Sequence, residues 1–161
     1  MHFQLTRGAP RMAKQHIEIR QTFNAPVEKV FPVLTDHETF GDLIGTNFKR
    51  VVDSPDEDKN GVGSVRRIRS FPVPAFEETV VTYVPNELME YVVSKGSPIK
   101  NHFGRMRFTG SQAATDLFYT IDFEPKLPFF FLGPLLKRAI ERPVRRAIEQ
   151  FAARFDAPAS L

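Results

Sequence analysis

ATDLFYTIDFE, residues 114–124, and PLLKRAIERPVRRAIEQFAARF, residues 134–155, decide the fold. In the first segment Leu117, Tyr119, Ile121 and Phe123 share one face. Asp116, Thr120, Asp122 and Glu124 share the other, with Phe118 the exception. A period of two predicts a strand with one face on a core and one in water. In the second segment Leu135, Leu136, Ala139, Ile140, Val144, Ala147, Ile148, Phe151 and Phe155 recur at intervals of three and four. That spacing predicts an amphipathic helix. Lys137, Arg138, Glu141, Arg142, Arg145, Arg146 and Glu149 take its wet face, with Lys137–Glu141 and Arg145–Glu149 expected as i,i+4 pairs. Pro143 predicts a kink.

Working back from these segments, residues 15–23 alternate, with Ile17, Ile19 and Phe23 on one face and Gln21 interrupting it. Asn24-Ala25-Pro26 then opens a helix, because proline suits a first turn. Val27, Val30, Phe31 and Leu34 continue it, and Pro32 keeps it short or bends it. Thr35 and Glu38 read as a capping box for a second short helix, carrying Phe40, Leu43 and Ile44 and stopped by Gly45. Six strands are expected next, at 47–54, 63–71, 76–84, 88–95, 100–109 and 114–124. They are separated by an acidic loop with an Asn60-Gly61 turn, Pro72 and Pro74, Pro85-Asn86, Gly96-Ser97-Pro98, and Gly110-Ser111. Such short loops imply an antiparallel meander.

A helix of about 22 residues is roughly 33 Å long and a strand of nine or ten about 30 Å, so the last helix can cover a whole sheet face. Seven strands, however, make a sheet over about 30 Å wide, and one helix is only about 10 Å across. The sheet must curl around the helix, which leaves room between them. The expected class is α+β: strand, two short helices, six antiparallel strands and a long C-terminal helix, with the sheet curved around that helix. One domain is expected over residues 15–156, with tails at 1–14 and 157–161, and Met12 offers an alternative start.

Sixteen Phe, against three Tyr and no Trp, require a thick core or a lined cavity. The chain has no cysteine, which excludes disulfides, thiol nucleophiles and thiolate metal sites and suits a reducing cytoplasm. The first residues carry no signal-peptide core. A formal charge of +3, unpooled and without a recognition motif, does not argue for nucleic acid. The histidines at 2, 16, 37 and 102 lack metal-ligand spacing, and no cofactor motif is present.

Several runs carry a family resemblance. Phe23-Asn24-Ala25-Pro26-Val27-Glu28-Lys29-Val30-Phe31 is similar to the strand, Ala-Pro, helix opening of the START-like superfamily. Gly61-Val62-Gly63-Ser64-Val65-Arg66 resembles its glycine-led third strand. Glu78 before Val80, and Tyr91 before Gly96-Ser97-Pro98, resemble its middle strands. The resemblance covers about residues 15–155 and takes in the polyketide cyclase/dehydrase-type (SRPBCC) proteins. It implies the helix-grip fold and a hydrophobic cavity. It does not imply one activity, because the scaffold hosts carriers, cyclases, receptors and co-chaperones.

Arg66 and Glu78 lie on neighbouring strands and either pair inside as a polar anchor or stand as two solvated charges. His102 shares strand parity with Met106 and is either a cavity acid or base near Tyr119 or an ordinary partly buried histidine. Tyr91, Met106, Leu117, Tyr119, Ile121, Leu136 and Ile140 are candidates for a pocket wall or plain packing, with Phe31 and Leu34 added from the first helix. Phe129-Phe130-Phe131 precedes the long helix, and Phe130 is the candidate gate. With the Lys/Arg face behind it, this loop either touches an anionic membrane transiently or covers the core.

Three readings follow. The first is a binder or carrier of a hydrophobic small molecule of lipid, polyketide or isoprenoid type. The second is a cyclase/dehydrase-type enzyme, favoured if His102, Glu78 and Tyr119 converge on a substrate-sized space. The third is a protein-interaction module, such as a dimer, favoured if the cavity is filled and an apolar patch lies outside.

Overall fold

The structure, a computed structural model, describes residues 13–127 and 132–156. β1 (Gln15–Phe23) leads into α1 (Val27–Thr35) and α2 (His37–Ile44). Six strands follow: β2 (Asn47–Val52), β3 (Val65–Ser70), β4 (Val73–Val84), β5 (Leu88–Lys95), β6 (Ile99–Gly110) and β7 (Thr115–Pro125). α3 (Leu132–Ala153) closes the fold. All seven strands form one antiparallel sheet in the order β1-β7-β6-β5-β4-β3-β2. The first and last strands therefore pair, and the two short helices carry the chain from one sheet edge to the other. The curved sheet, short helices and long helix are the expected helix-grip arrangement.

The alternation explains the packing. Leu117, Tyr119, Ile121 and Phe123 of β7 are buried, as are Ile17, Ile19 and Phe23 of the paired β1. Val144, Ala147, Ile148 and Phe151 of α3 cover them. The rings of Phe23, Phe151 and Phe155 meet at centroid distances of 5.2–6.4 Å and lock the end of α3 to β1.

Three local expectations change. Thr35 does not cap α2: its hydroxyl donates back to the Phe31 carbonyl at 2.8 Å. Asp36 caps instead, accepting from the Thr39 N–H at 2.9 Å, and the Glu38 carboxylate accepts from the Arg50 N–H at 2.7 Å. Gly45 does end α2, with φ of 70°. On α3, Arg145 pairs with Glu141 (2.7 Å) rather than Glu149, because the same guanidinium also donates to the Glu18 carbonyl of β1. β4 starts at Val73 rather than 76, with Pro74 tolerated where the β3–β4 register shifts between Ile68 and Ser70.

Candidate functional site

Between the sheet and α3 lies a cavity of about 190 Å³. That exceeds the roughly 150 Å³ that holds benzene and falls below the roughly 300 Å³ at which drug-sized pockets begin. Its wall is apolar. Phe40 and Ile44 come from α2, Phe48 from β2, Ile68 from β3, Phe76 from β4, Ile99 from β6, Ile121 from β7, and Leu136, Ile140 and Val144 from α3. The exposed lining residues Ser70, Ala139 and Pro143 mark its opening.

Five polar side chains converge on this apolar space: Arg66, Glu78, Tyr91, His102 and Tyr119. Arg66 is 2% exposed; its Nε donates to Glu78 Oε2 at 2.8 Å, and its Nη2 lies 2.7 Å from the same oxygen as an ion pair. Its guanidinium lies 4.4 Å from the Tyr91 ring centroid and 4.9 Å from that of Phe48. A planar cation can stack on aromatic faces and form a carboxylate pair at once, which an ammonium does not match. Burial pulls the Arg66 pKa down, the Glu78 carboxylate together with Tyr91 and Tyr119 pulls it up, and the net shift is upward, so the guanidinium stays charged. Arg66 Nη1 is buried and has no hydrogen-bond partner among the described residues.

His102 enters through an irregularity. The β6–β7 register shifts between Lys100 and Phe103, and Asn101 takes a φ of 51°. Ile99 and His102 both end up buried, although strict alternation would separate them. His102 Nδ1 accepts from the Val93 N–H at 3.1 Å, so the proton sits on Nε2, 3.6 Å from Glu78 Oε1. Burial lowers its pKa, the Glu78 charge pulls the other way, and the net shift is downward. His102 is therefore a neutral donor at pH 7.

Tyr91 and Tyr119 share a short hydroxyl–hydroxyl hydrogen bond. One of them donates, which leaves the other phenolic proton free. Burial pushes both phenols above their ordinary range and keeps them protonated. Tyr91 pairs in register with Gly104, and a Cβ on that glycine would collide with the Tyr91 ring. The absent side chain lets the ring lie flat across the sheet toward Tyr119.

Of the residues singled out in the sequence, Arg66, Glu78, Tyr91, His102, Tyr119, Ile121, Leu136 and Ile140 line the cavity. Phe31, Leu34, Met106 and Leu117 do not: they are buried beyond it, Phe31 against Tyr83 and Phe108 at ring distances of 5.4 and 5.0 Å. Parity places a side chain on a face but not along the strand, and the cavity occupies only part of that face. Phe129, Phe130 and Phe131, with residues 1–12, Met12 among them, and residues 157–161, lie outside the described residues. The sequence reading missed Phe40, Ile44 and Phe48; the i,i+4 spacing of the first two was the available signal. Among the described residues no cluster of three or more His, Asp or Glu is placed to hold a metal ion, and no helix is long and apolar enough to cross a membrane.

The fold recurs in solved structures. An aromatase/cyclase from Streptomyces sp. R1128 superposes with a TM-score of 0.69 at 19% identity, over 92% of this chain and 99% of that one. A norcoclaurine synthase from Thalictrum flavum gives 0.66 at 13% identity, over 92% and 100%. A START superfamily protein from Mycobacterium smegmatis gives 0.64 at 15% identity, over 84% and 98%. At these identities the likeness is one of fold. No curated protein matches the sequence significantly. Residues 14–156 match the profile of the family described as polyketide cyclase / dehydrase and lipid transport, and the chain belongs to that family.

Proposed function

We propose that the protein binds and carries an apolar small molecule bearing an oxygen head group, of lipid, polyketide or isoprenoid type, in the cytoplasm. One observation carries this reading: an apolar cavity holds two unspent buried donors, Arg66 Nη1 and one phenolic proton of the Tyr91–Tyr119 pair. An unpaired buried donor costs free energy, and a ligand carbonyl or carboxylate oxygen would relieve it. The test uses calorimetric titration with naphthalene and 2-naphthoate. The carboxylate should win by about tenfold to a hundredfold, the value of a charge-assisted hydrogen bond. The Arg66→Met/Glu78→Leu protein should lose that preference. Equal affinities in the unaltered protein, or no binding of either probe, count against the reading.

A specific observation also favours the enzyme reading, because His102, Glu78 and Tyr119 do converge on one cavity. A ketone held by the tyrosine and arginine donors would be polarised. Glu78 Oε1 could then take its α-proton while the donors hold the enolate oxygen. Deuterium exchange into 2-acetylnaphthalene in D2O, faster with the unaltered protein than with Glu78→Gln, would support this chemistry. Equal rates would leave only binding. The interaction-module reading loses ground, since the cavity is not filled.

A further inference from the structure

The three most exposed large apolar side chains among the described residues are Phe71 (99%), Leu135 (59%) and Leu127 (52%), and all three lie at one end of the molecule. Phe71 forms the tip between β3 and β4, and its neighbours Ser70 and Val73 line the cavity. Leu135 precedes Leu136, Ala139 and Ile140, which line it from α3. Leu127 follows the end of β7, where Pro125 pairs with the lining residue Ile99. The apolar protrusions thus ring the cavity mouth.

Charge divides along the same axis. Beside the mouth stand Arg69, Lys95, Lys126, Lys137 and Arg138, none of which has a carboxylate within 4 Å among the described residues. At the other end of β3 the loop to β2 carries Asp53, Asp56, Glu57 and Asp58, next to Asp36 of the α1–α2 turn. β4 runs the full distance between the two ends, about 40 Å for its twelve residues. A field of this polarity turns the mouth toward a negative surface.

We propose that the mouth end docks on an anionic lipid bilayer, with Phe71 and Leu135 entering the interface and the surrounding Lys and Arg side chains meeting the headgroups. The apolar groups sit on three separate segments around an opening and do not form one continuous groove, as a partner helix would need. The basic residues between them include three lysines, which are depleted in protein interfaces but snorkel well at a lipid surface. Juxtaposed apolar and basic side chains are the recognised means of binding such a surface. Docked this way, a cavity ligand could pass to and from the membrane without crossing water.

The test is co-sedimentation with vesicles of phosphatidylcholine alone and of phosphatidylcholine with one quarter phosphatidylglycerol, with no ligand added, so its failure leaves the cavity reading untouched. The protein should pellet with the anionic vesicles at low salt and release at 0.5 M NaCl. Phe71→Ser and Lys137→Glu/Arg138→Glu should each weaken partitioning by about tenfold or more, with unchanged circular dichroism. No pelleting at low salt overturns the proposal and redirects the surface to an acidic protein. Pelleting that Phe71→Ser leaves unchanged overturns it as well.

Discussion

Replacing Arg66 by Met strands Glu78, and replacing Glu78 by Leu strands Arg66. Both side chains are almost fully buried, at 2% and 8% exposure, and joined by one hydrogen bond and one ion-pair contact to the same carboxylate oxygen. A buried charge left without its partner costs about 3–5 kcal/mol. Each single replacement should therefore lower the melting temperature by roughly 6–20 °C, at about 2–4 °C per kcal/mol for a chain of this length. The double replacement removes both charges and fills their space with apolar atoms, a change that is commonly neutral or stabilising. Two single costs that sum to roughly 6–10 kcal/mol should thus collapse to near zero, a coupling of about 6 kcal/mol or more. Urea titration of the four proteins at pH 7, followed by far-UV circular dichroism, measures it, with constant slopes showing that the transitions are comparable. A coupling below about 1 kcal/mol, the size seen for exposed pairs, would mean that the two charges are not paired in a dry interior. The expected pattern would also show that the pair is not needed for folding, which leaves ligand recognition as its role.

Gly104→Ala should destabilise the protein by about 1–3 kcal/mol, although Ala otherwise outranks Gly in a strand, because the new methyl displaces the Tyr91 ring. In a Tyr91→Leu background the same change should cost almost nothing, and an equal cost in both backgrounds would remove Tyr91 as the cause. His37, buried with Nε2 3.0 Å from Ser64 Oγ, has a pKa pushed down to about 3, first by burial and then by the Arg66 and Arg50 charges. The unfolded chain binds that proton near pH 6.5 and the folded chain does not, so stability is full above about 6.5 and declines as pH falls toward 3, by up to about 1.4 kcal/mol per unit. NMR signals of the His37 ring should stay constant from pH 8 to 5; a midpoint near 6.5 would contradict the burial argument.

The fold was legible where each strand face meets a different medium. β7 and β1 alternate because one face touches α3 and the other touches water, and the α3 stripe survives because it covers both strands. The site was less legible, for reasons that lie in particular residues. In Val65–Ser70 three of six residues are arginine, so composition hides the fact that Arg66 and Ile68 face inward while Arg69 faces out. In β4 the register shifts on both sides of Glu78–Val80, and two short aligned stretches replace one readable alternation. The bulge at Asn101 turns Ile99 and His102 to the same side. Gly104 gives no signal of its own, because its role exists only once Tyr91 lies across it. The choice between Thr35 and Asp36 as helix cap turns on a single hydrogen bond to the preceding turn, for which the sequence offers two equally suited side chains.

Native mass spectrometry of the freshly purified protein shows directly whether the space between sheet and α3 holds an apolar small molecule. The expected spectrum shows a species heavier than the polypeptide by the mass of one small molecule, either at once or after incubation with 2-naphthoate. That species should be lost in Ile140→Trp, where a larger side chain fills the cavity. A single peak at the polypeptide mass under both conditions, or a retained ligand unaffected by Ile140→Trp, would contradict binding in that space.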